Sequence, residues 1–220
     1  MLSFFYSVRI DSRCRSLQVV FFFGLTLGGN EMTKFAFAGI GSRQTPHNVL
    51  EIMATVANEM ATRGWTLRSG HAGGADSAFE AGARSVNGPM EIFIPWSGFN
   101  GGYHERDSVV NAQVLPNWTT ANDIAGKLHP AWNKCSSGAK LLHTRNVYQI
   151  AGIDLATPVN CVVCWTTDGK ASGGTGQAMR FAEYLEIPIF NLHSANALDN
   201  LAEFVYDTEV AAQQPKPANG

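Results

Sequence analysis

The sequence has little charge, and what it has is nearly balanced. Lysine, arginine, aspartate and glutamate make up 15% of the 220 residues, with a formal net charge of -2. This balance argues against a globally basic nucleic-acid binder but is compatible with a local basic pocket. Because 45% of the residues are hydrophobic, the chain can bury a substantial core, and disorder is not expected.

Cysteine is also scarce, with four residues at positions 14, 135, 161 and 164 and no repeated spacing. Cys161 and Cys164 form a C-x-x-C pattern, which can bind a metal or act in redox chemistry. They lie in the apolar segment 159–165, which is typical of a β-strand, where residues three apart point to opposite faces. We therefore expect two buried cysteines whose sulfur atoms diverge.

Metal-binding patterns are absent as well. The histidines near the middle of the chain are His71, His104, His129 and His143, and they do not show the spacing of metal ligands. We therefore predict no metal site and no cofactor. The chain also contains no internal repeat and no heptad run.

No hydrophobic run is long enough to span a bilayer. The longest, residues 17–27, has eleven residues and follows Arg9, Arg13 and Arg15. We expect residues 1–31 to be a leader or an upstream extension of the reading frame outside the fold, with a secretory signal as the alternative. We predict a cytoplasmic protein without membrane contact, and a disordered tail at residues 211–220.

Between these ends, strand-like and helix-like segments alternate. Apolar strands are predicted near residues 36–40, 90–94, 159–165 and 187–190. The intervening segments have helical periodicity, the first helix beginning with Thr45 as N-cap and Pro46 as its first residue. This alternation predicts one α/β domain over residues 32–210, a Rossmann-like, doubly wound, mainly parallel sheet with helices on both faces. Residues 96–136 break the rhythm and are predicted to form an insertion on the loop side of the sheet.

Three glycine-rich loops leave strands and enter helices. The first glycine loop (residues 39–43) contains Gly39, Gly41, Ser42 and Arg43; the second glycine loop (residues 69–76) contains Ser69, Gly70, Gly73, Gly74 and Asp76; and the third glycine loop (residues 172–177) contains Gly173, Gly174, Thr175, Gly176 and Gln177. Helix N-termini present unpaired N–H groups to anions, and an arginine adds a planar donor fork that suits phosphate. The three loops therefore predict a phosphate or nucleotide site at one edge of the sheet.

In order and spacing, these motifs resemble those of the DprA/Smf DNA-processing proteins, part of the SLOG superfamily that also includes LOG-type nucleotide hydrolases. The resemblance covers about residues 35–192 and rests on Gly41-Ser42-Arg43, Ser69-Gly70-x-Ala72-x-Gly74-x-Asp76, Arg145-Asn146 and Ser172-Gly173-Gly174-Thr175. It implies a phosphate-binding pocket to which Arg145 and Asn146 contribute. For DprA proper it also implies single-stranded DNA binding, self-association as a homo-oligomer, and recombinase loading.

Three functional hypotheses remain open at this stage. The first is a binding module for a nucleotide-derived ligand or single-stranded DNA. The second is a nucleotide N-glycosidase that uses Asp76 or Glu183 as its carboxylate. The third is a sensor of a nucleotide-derived signal. Met179 and Arg180 occupy the positions after the third glycine loop where a LOG-type hydrolase would need an acid, which favours binding over turnover.

A DNA site would require a local cluster of cations. The candidates are Arg43, Arg68, Lys140, Arg145 and Lys170. The insertion adds aromatic residues that could stack on bases or form a satellite core beneath a long loop: Trp96, Phe99, Tyr103, Trp118 and Trp132.

Overall fold

A computed structural model describes residues 35–104 and 108–214, so the predicted leader lies outside the described residues. Six parallel strands form one sheet in the order β4-β3-β2-β1-β5-β6. The strands are β1 (Ala36–Gly41), β2 (Thr66–Ser69), β3 (Met90–Ile94), β4 (Val109–Asn111), β5 (Cys161–Trp165) and β6 (Ile189–Asn191). The central strands β1 and β5 are apolar along their whole length because helices cover both of their faces.

The helices divide between the two faces of the sheet and confirm the predicted fold class. They are α1 (His47–Thr62), α2 (Ala75–Ser85), α3 (Trp118–Leu128), α4 (Ser137–Ala151), α5 (Gly173–Tyr184) and α6 (Ala197–Gln213). The apolar sides of α1, α2 and α6 share one core with residues such as Phe37 and Leu67. Those of α3, α4 and α5 pack with Ala38 and Ile40 in a second core on the other face.

The C-x-x-C pattern behaves as the strand prediction requires. Cys161 packs in the first core and Cys164 in the second, and both are fully buried free thiols. Burial raises the pKa of Cys161 far above its ordinary value and that of Cys164 to about 12. Both thiols therefore stay protonated, which fits core packing.

The C-terminal helix is fixed to the sheet by one carboxylate. Oε1 of Glu209 accepts a hydrogen bond of 2.8 Å from Nε1 of the fully buried Trp65, and Oε2 lies 3.2 Å from Nη1 of Arg63. Because α6 continues to Gln213, the predicted disordered tail begins too early at residue 211, while residues 215–220 lie outside the described residues.

Two further predictions need correction. Helix α1 begins at His47 with Pro46 as its N-cap, because the hydroxyl of Thr45 donates to the carbonyl of Ser42 instead of capping the helix. The segment 96–136 does not stay outside the sheet, since β4 pairs with β3 at its edge. Within the described residues, no helix is both long and apolar enough to cross a membrane.

Candidate functional site

The three glycine loops lie at the carboxyl edge of the sheet, around the point where the strand order reverses. From β1 the chain proceeds outward through β2, β3 and β4, whereas β5 and β6 lie on the other side of β1. The first and third glycine loops follow β1 and β5, which are neighbours, and the second follows β2. Open α/β sheets bind ligands at such a reversal point, outside the carboxyl ends of the strands.

The first two loops are packed directly against each other. The carbonyl of Ser42 accepts hydrogen bonds from the amides of Thr45 and Ala75, both at 3.3 Å. Gly74 has a φ of +81°, and a Cβ there would lie 2.8 Å from the Ser42 carbonyl oxygen and from the Cα of Arg43. Only glycine permits this conformation at such close approach, so Gly74 sets the spacing between the loops.

A buried ion pair lies beneath the second loop. Nη1 of Arg145 is 3.5 Å from Oδ2 of Asp76, and both side chains are almost fully buried. The same oxygen accepts a 3.2 Å hydrogen bond from the amide of Ala72. Burial raises the pKa of Asp76 to about 6, although Arg145 acts in the opposite direction. Burial likewise lowers the pKa of Arg145, partly offset by Asp76.

The Arg145-Asn146 pair joins the second loop to the third. The guanidinium of Arg145 occupies the space beside Gly70, where an added Cβ would lie 1.1 Å from Nη1. Asn146 donates from Nδ2 to the carbonyl of Gly174 at 3.2 Å. One turn of α4 therefore holds both loops in place, and the motif residues are brought together as the sequence resemblance implies.

The helices that begin at the three loops have no side-chain caps, and residues 173–177 of the third loop form the first turns of α5. No side chain caps the N-terminus of α1, α2 or α5, where Pro46, Gly74 and Ser172 are the N-cap residues. The first amides of an α-helix have no partner within the helix and carry partial positive charge. The amides of Ala75 and Ser77 at the start of α2 are bonded to the carbonyls of Ser42 and Ala72, so the starts of α1 and α5 are the ends best suited to an anion.

The outer side of the site is open. A Cβ added to Gly73, Gly173 or Gly174 would meet nothing within 4 Å. Arg43 is exposed, and no hydrogen bond or ion pair links its side chain to another residue in the part of the chain that the structure describes. It nevertheless lies close enough to Arg145 to lower the pKa of that guanidinium. Arg43 thus places a cation beside the open loops.

A histidine–carboxylate pair in the second loop was not predicted from the sequence. Nδ1 of His71 lies 2.8 Å from Oε2 of Glu80, a buried carboxylate whose other oxygen has no hydrogen bond to the described residues. His71 has a φ of +58°, which is unusual for a residue other than glycine and is often found at functional sites. The position of His71 inside the second glycine loop could have singled it out in the sequence. Its partner Glu80 lies on α2, and the pair is recognised only from the fold.

Several predicted ligand residues turn inward. The hydroxyl of the fully buried Ser69 donates to the carbonyl of Gly39 at 2.8 Å, and Gln177 is also fully buried. A Cβ on Gly39 would clash with Phe79, one on Gly41 with Ala75, and one on Gly176 with the backbone of Ala171. These residues shape the loops by close packing. The open positions Gly73, Gly173 and Gly174 are the ones left for direct contact with a ligand.

The predicted alternative carboxylate is at the wrong end of its helix. Glu183 is exposed in the last turn of α5, about 12 Å along the helix axis from Thr175 at its beginning. Met179 is buried, and Arg180 donates to the carbonyls of Leu128 and Ala171. Glu183 therefore cannot take the catalytic role proposed for it, since the helix carries it away from the third loop.

The predicted cation cluster is only partly assembled. Arg68 is buried and bonded to Glu91 and to the carbonyl of Thr157, which lies in the connection leading into β5 at the opposite edge of the sheet. Lys140 lies over the ring of Trp132, 5.5 Å from its centroid. Of the cations proposed to bind DNA, only Arg43 and Lys170 are exposed and free of such contacts within the described residues.

Most of the aromatic residues in the segment 96–136 pack in the two main cores, Trp96 and Phe99 in the first and Trp118 and Trp132 against the second. Trp96 packs edge-on against Phe99, and Trp118 stacks on Tyr148. Tyr103 differs, because half of its surface is exposed. Its segment contacts the second loop, since Nδ2 of Asn100 donates to the carbonyl of His71 at 2.7 Å.

No family model and no curated protein matches this chain. Among solved structures, DNA processing protein A from Helicobacter pylori, studied for its binding of single-stranded DNA, is 17% identical with a TM-score of 0.48, over 78% of this chain and 73% of that one. The Moco carrier protein of Chlamydomonas rheinhardtii is 14% identical with a TM-score of 0.43, over 81% of this chain and 86% of that one.

Proposed function

We propose that this domain binds the phosphate of a nucleotide or nucleotide-derived ligand between its three glycine loops, as a binding module without turnover. The observation that carries the proposal is the convergence of three uncapped helix N-termini with the exposed cation of Arg43 at the reversal point of the sheet. Phosphate groups bound to proteins commonly accept hydrogen bonds from backbone amides and from guanidinium groups.

A nucleotide is favoured over a bare phosphate because an exposed aromatic residue lies in the segment that contacts the second glycine loop. Tyr103 is half exposed and follows the turn whose Asn100 bonds to the second loop. An exposed ring beside a phosphate site can stack on a base. Single-stranded DNA offers the same phosphate and base chemistry, but with only Arg43 and Lys170 exposed among the predicted cations, a short ligand is favoured.

Binding is favoured over hydrolysis by the surroundings of the acidic residues. Asp76 is the predicted carboxylate nearest the loops, and it is buried against Arg145 and the amide of Ala72. A general acid or base must reach the reacting atoms directly or through one water molecule. Asp76 therefore serves to fix Arg145 and the second loop.

The proposal is tested by titrating the full chain with nucleoside mono-, di- and triphosphates and with short single-stranded oligonucleotides, followed by calorimetry. Arg43→Ala is expected to weaken nucleotide binding about 10- to 100-fold, because it removes a hydrogen-bonded charge pair. Arg84→Ala is the matched control, since Arg84 is an exposed arginine in the last turn of α2, away from the loops. It should leave the affinity unchanged.

Three results would contradict the proposal. Equal affinities of the Arg43→Ala and Arg84→Ala proteins would place the ligand elsewhere. Tighter binding of an oligonucleotide than of any mononucleotide would make DNA the ligand. Release of a free base during incubation would establish the N-glycosidase alternative. The predicted self-association is checked separately by light scattering of the full chain.

A further inference from the structure

A second cluster of reactive side chains lies on the far side of the third glycine loop. His129 follows the last residue of α3, Cys135 follows the short turn Trp132–Lys134, and His143 lies on α4. Each offers one nitrogen or sulfur atom, and these three atoms lie within 4.8 Å of one another. Sequence spacing predicts no metal site here, but the fold brings the three residues together from separate elements.

The histidine of α4 is the best defined member of this cluster. Only 8% of its surface is exposed, and its Nδ1 is buried without a hydrogen-bond partner in the part of the chain that the structure describes. The rings of His129 and His143 are 4.5 Å apart between centroids, and Trp132 covers both. A buried ring nitrogen without a partner has lost its water without compensation, and a bound ligand would supply the missing interaction.

We propose that His129, Cys135 and His143 bind a zinc ion. Two imidazoles and one thiolate are ligands typical of zinc, and three protein ligands leave a fourth position for water or another ligand. Tetrahedral zinc with ordinary bond lengths separates a sulfur from a nitrogen ligand by about 3.6 Å. Sγ of Cys135 lies 3.7 Å from Nδ1 and 3.8 Å from Nε2 of His129.

Zinc binding requires two local adjustments. Nδ1 of His129 accepts a 3.1 Å hydrogen bond from the amide of Ala131, so the ring turns to free a lone pair for the metal. Sγ of Cys135, which is 3.6 Å from the carbonyl oxygen of Ala131, loses its proton to become the thiolate that zinc requires. Both changes are confined to the turn after α3 and leave α4 in place.

The charges around the cluster are compatible with one thiolate ligand. Arg180 and Arg145 are cations near His143, and the guanidinium of Arg180 donates to the carbonyls of Leu128 and Ala171. Lys140 is directed over Trp132. The Zn²⁺ ion adds two positive charges to this surrounding, and the Cys135 thiolate neutralises one of them, which neutral histidines alone would not do.

The position of the zinc connects two elements of the fold. His143 precedes Asn146 by one helical turn on α4, and Asn146 holds the carbonyl of Gly174. A zinc ion would therefore tie the turn after α3 to the helix that supports the third glycine loop. The proposal does not depend on the ligand of those loops, and Arg43→Ala is expected to leave zinc binding unchanged.

The test uses the full chain, stripped of metal and titrated with Zn²⁺, with metal content measured by atomic emission. About one zinc ion is expected per chain. Cys135→Ala and His129→Gln should each weaken zinc binding by more than roughly 10- to 100-fold. That is the cost of losing only the hydrogen-bond partner of a metal ligand, whereas each of these variants loses a ligand itself. These two residues are chosen because they are only partly buried, so the variants should fold, which circular dichroism verifies.

Cobalt(II) provides an independent readout of the sulfur ligand. Substitution of Co²⁺ is expected to give a thiolate-to-metal charge-transfer band that Cys135→Ala abolishes. The control variants are Cys164→Ala, which removes a thiol from the core, and His47→Gln, which removes an exposed histidine. Zinc content that is unchanged in the Cys135 and His129 variants, or the absence of stoichiometric zinc in the natural chain, would overturn the proposal.

Discussion

Two glycines of the second loop have opposite surroundings. A Cβ at Gly70 would overlap the guanidinium of Arg145 and lie 2.8 Å from Oδ2 of Asp76, whereas a Cβ at Gly73 would meet nothing. The guanidinium cannot move aside without breaking its buried pair with Asp76. The absence of a Cβ at position 70 is therefore what allows Arg145 to pack beneath the second loop.

We predict that Gly70→Ala lowers the free energy of unfolding by about 1–3 kcal/mol, the usual cost of overpacking a well-filled site. Gly73→Ala, the matched control three positions later, should change the free energy by less than about 0.5 kcal/mol. Urea denaturation of the two variants measures both values. Equal destabilisation would show that Arg145 does not occupy the space beside Gly70.

The sequence identified most residues that the fold brings to the site, but not what each of them does there. Arg145 and Asn146 were identified by resemblance, and they bridge two loops. That Ser69 and Gln177 point inward could not be predicted, because their orientation depends on the packing of α2, α4 and α5 on the sheet. The pairing of Glu80 with His71 and of Cys135 with two histidines was missed because only the fold turns these side chains towards each other.

Helix α6 joins the segment before β2 through a polar contact as well as through its apolar side chains. Its Glu209 satisfies the indole of the fully buried Trp65 and also pairs with Arg63. A buried donor left without an acceptor costs about 1–3 kcal/mol. The contact therefore links the end of the chain to the beginning of β2.

Glu209→Ala is expected to destabilise the protein by about 1–3 kcal/mol and to increase hydrogen exchange in α6 before other helices. Glu203→Ala is the control, because Glu203 is exposed on the same helix. Exchange followed by mass spectrometry measures the effect. Unchanged protection of α6 in the Glu209 variant would mean that its apolar side alone holds the helix.

Elements with long periodic patterns were predictable, and short ones were not. The apolar strand Met90–Ile94 was predicted with its observed bounds. β4 has only three residues, too few to show a period of two, and it owes its strand conformation to pairing with β3. Residues 211–213 at the end of α6 were assigned to the disordered tail because all three are exposed and make no apolar pattern.

For the whole molecule, the buried carboxylate of Asp76 links stability to pH. Its pKa of about 6 in the folded protein exceeds the ordinary value of 3.8, so between these values the folded state binds more protons than the unfolded chain. The contribution of this group to the free energy of unfolding therefore falls as the pH rises from 4 to 6, by on the order of 3 kcal/mol in total.

Asp76→Asn removes this proton uptake, and the stability of the variant should decline less steeply between pH 4 and 6 than that of the natural chain. Asp123→Asn, at an exposed position of α3, should preserve the natural slope. Urea denaturation across this range measures how steeply the free energy of unfolding changes with pH in each protein. Leaving Arg145 without its partner lowers the free energy by the same amount at every pH, so it does not affect the difference between the slopes. Parallel curves would show that Asp76 is ionised throughout.

The pairing of β1 with β5 has a consequence for synthesis of the chain. β1 pairs with β2 soon after both emerge from the ribosome, but its other edge is filled only when Cys161–Trp165 has been made. At ordinary rates of translation this takes on the order of 10 s. During that interval an apolar strand edge stands open to other nascent chains, so this protein should be most vulnerable to aggregation while it is being made.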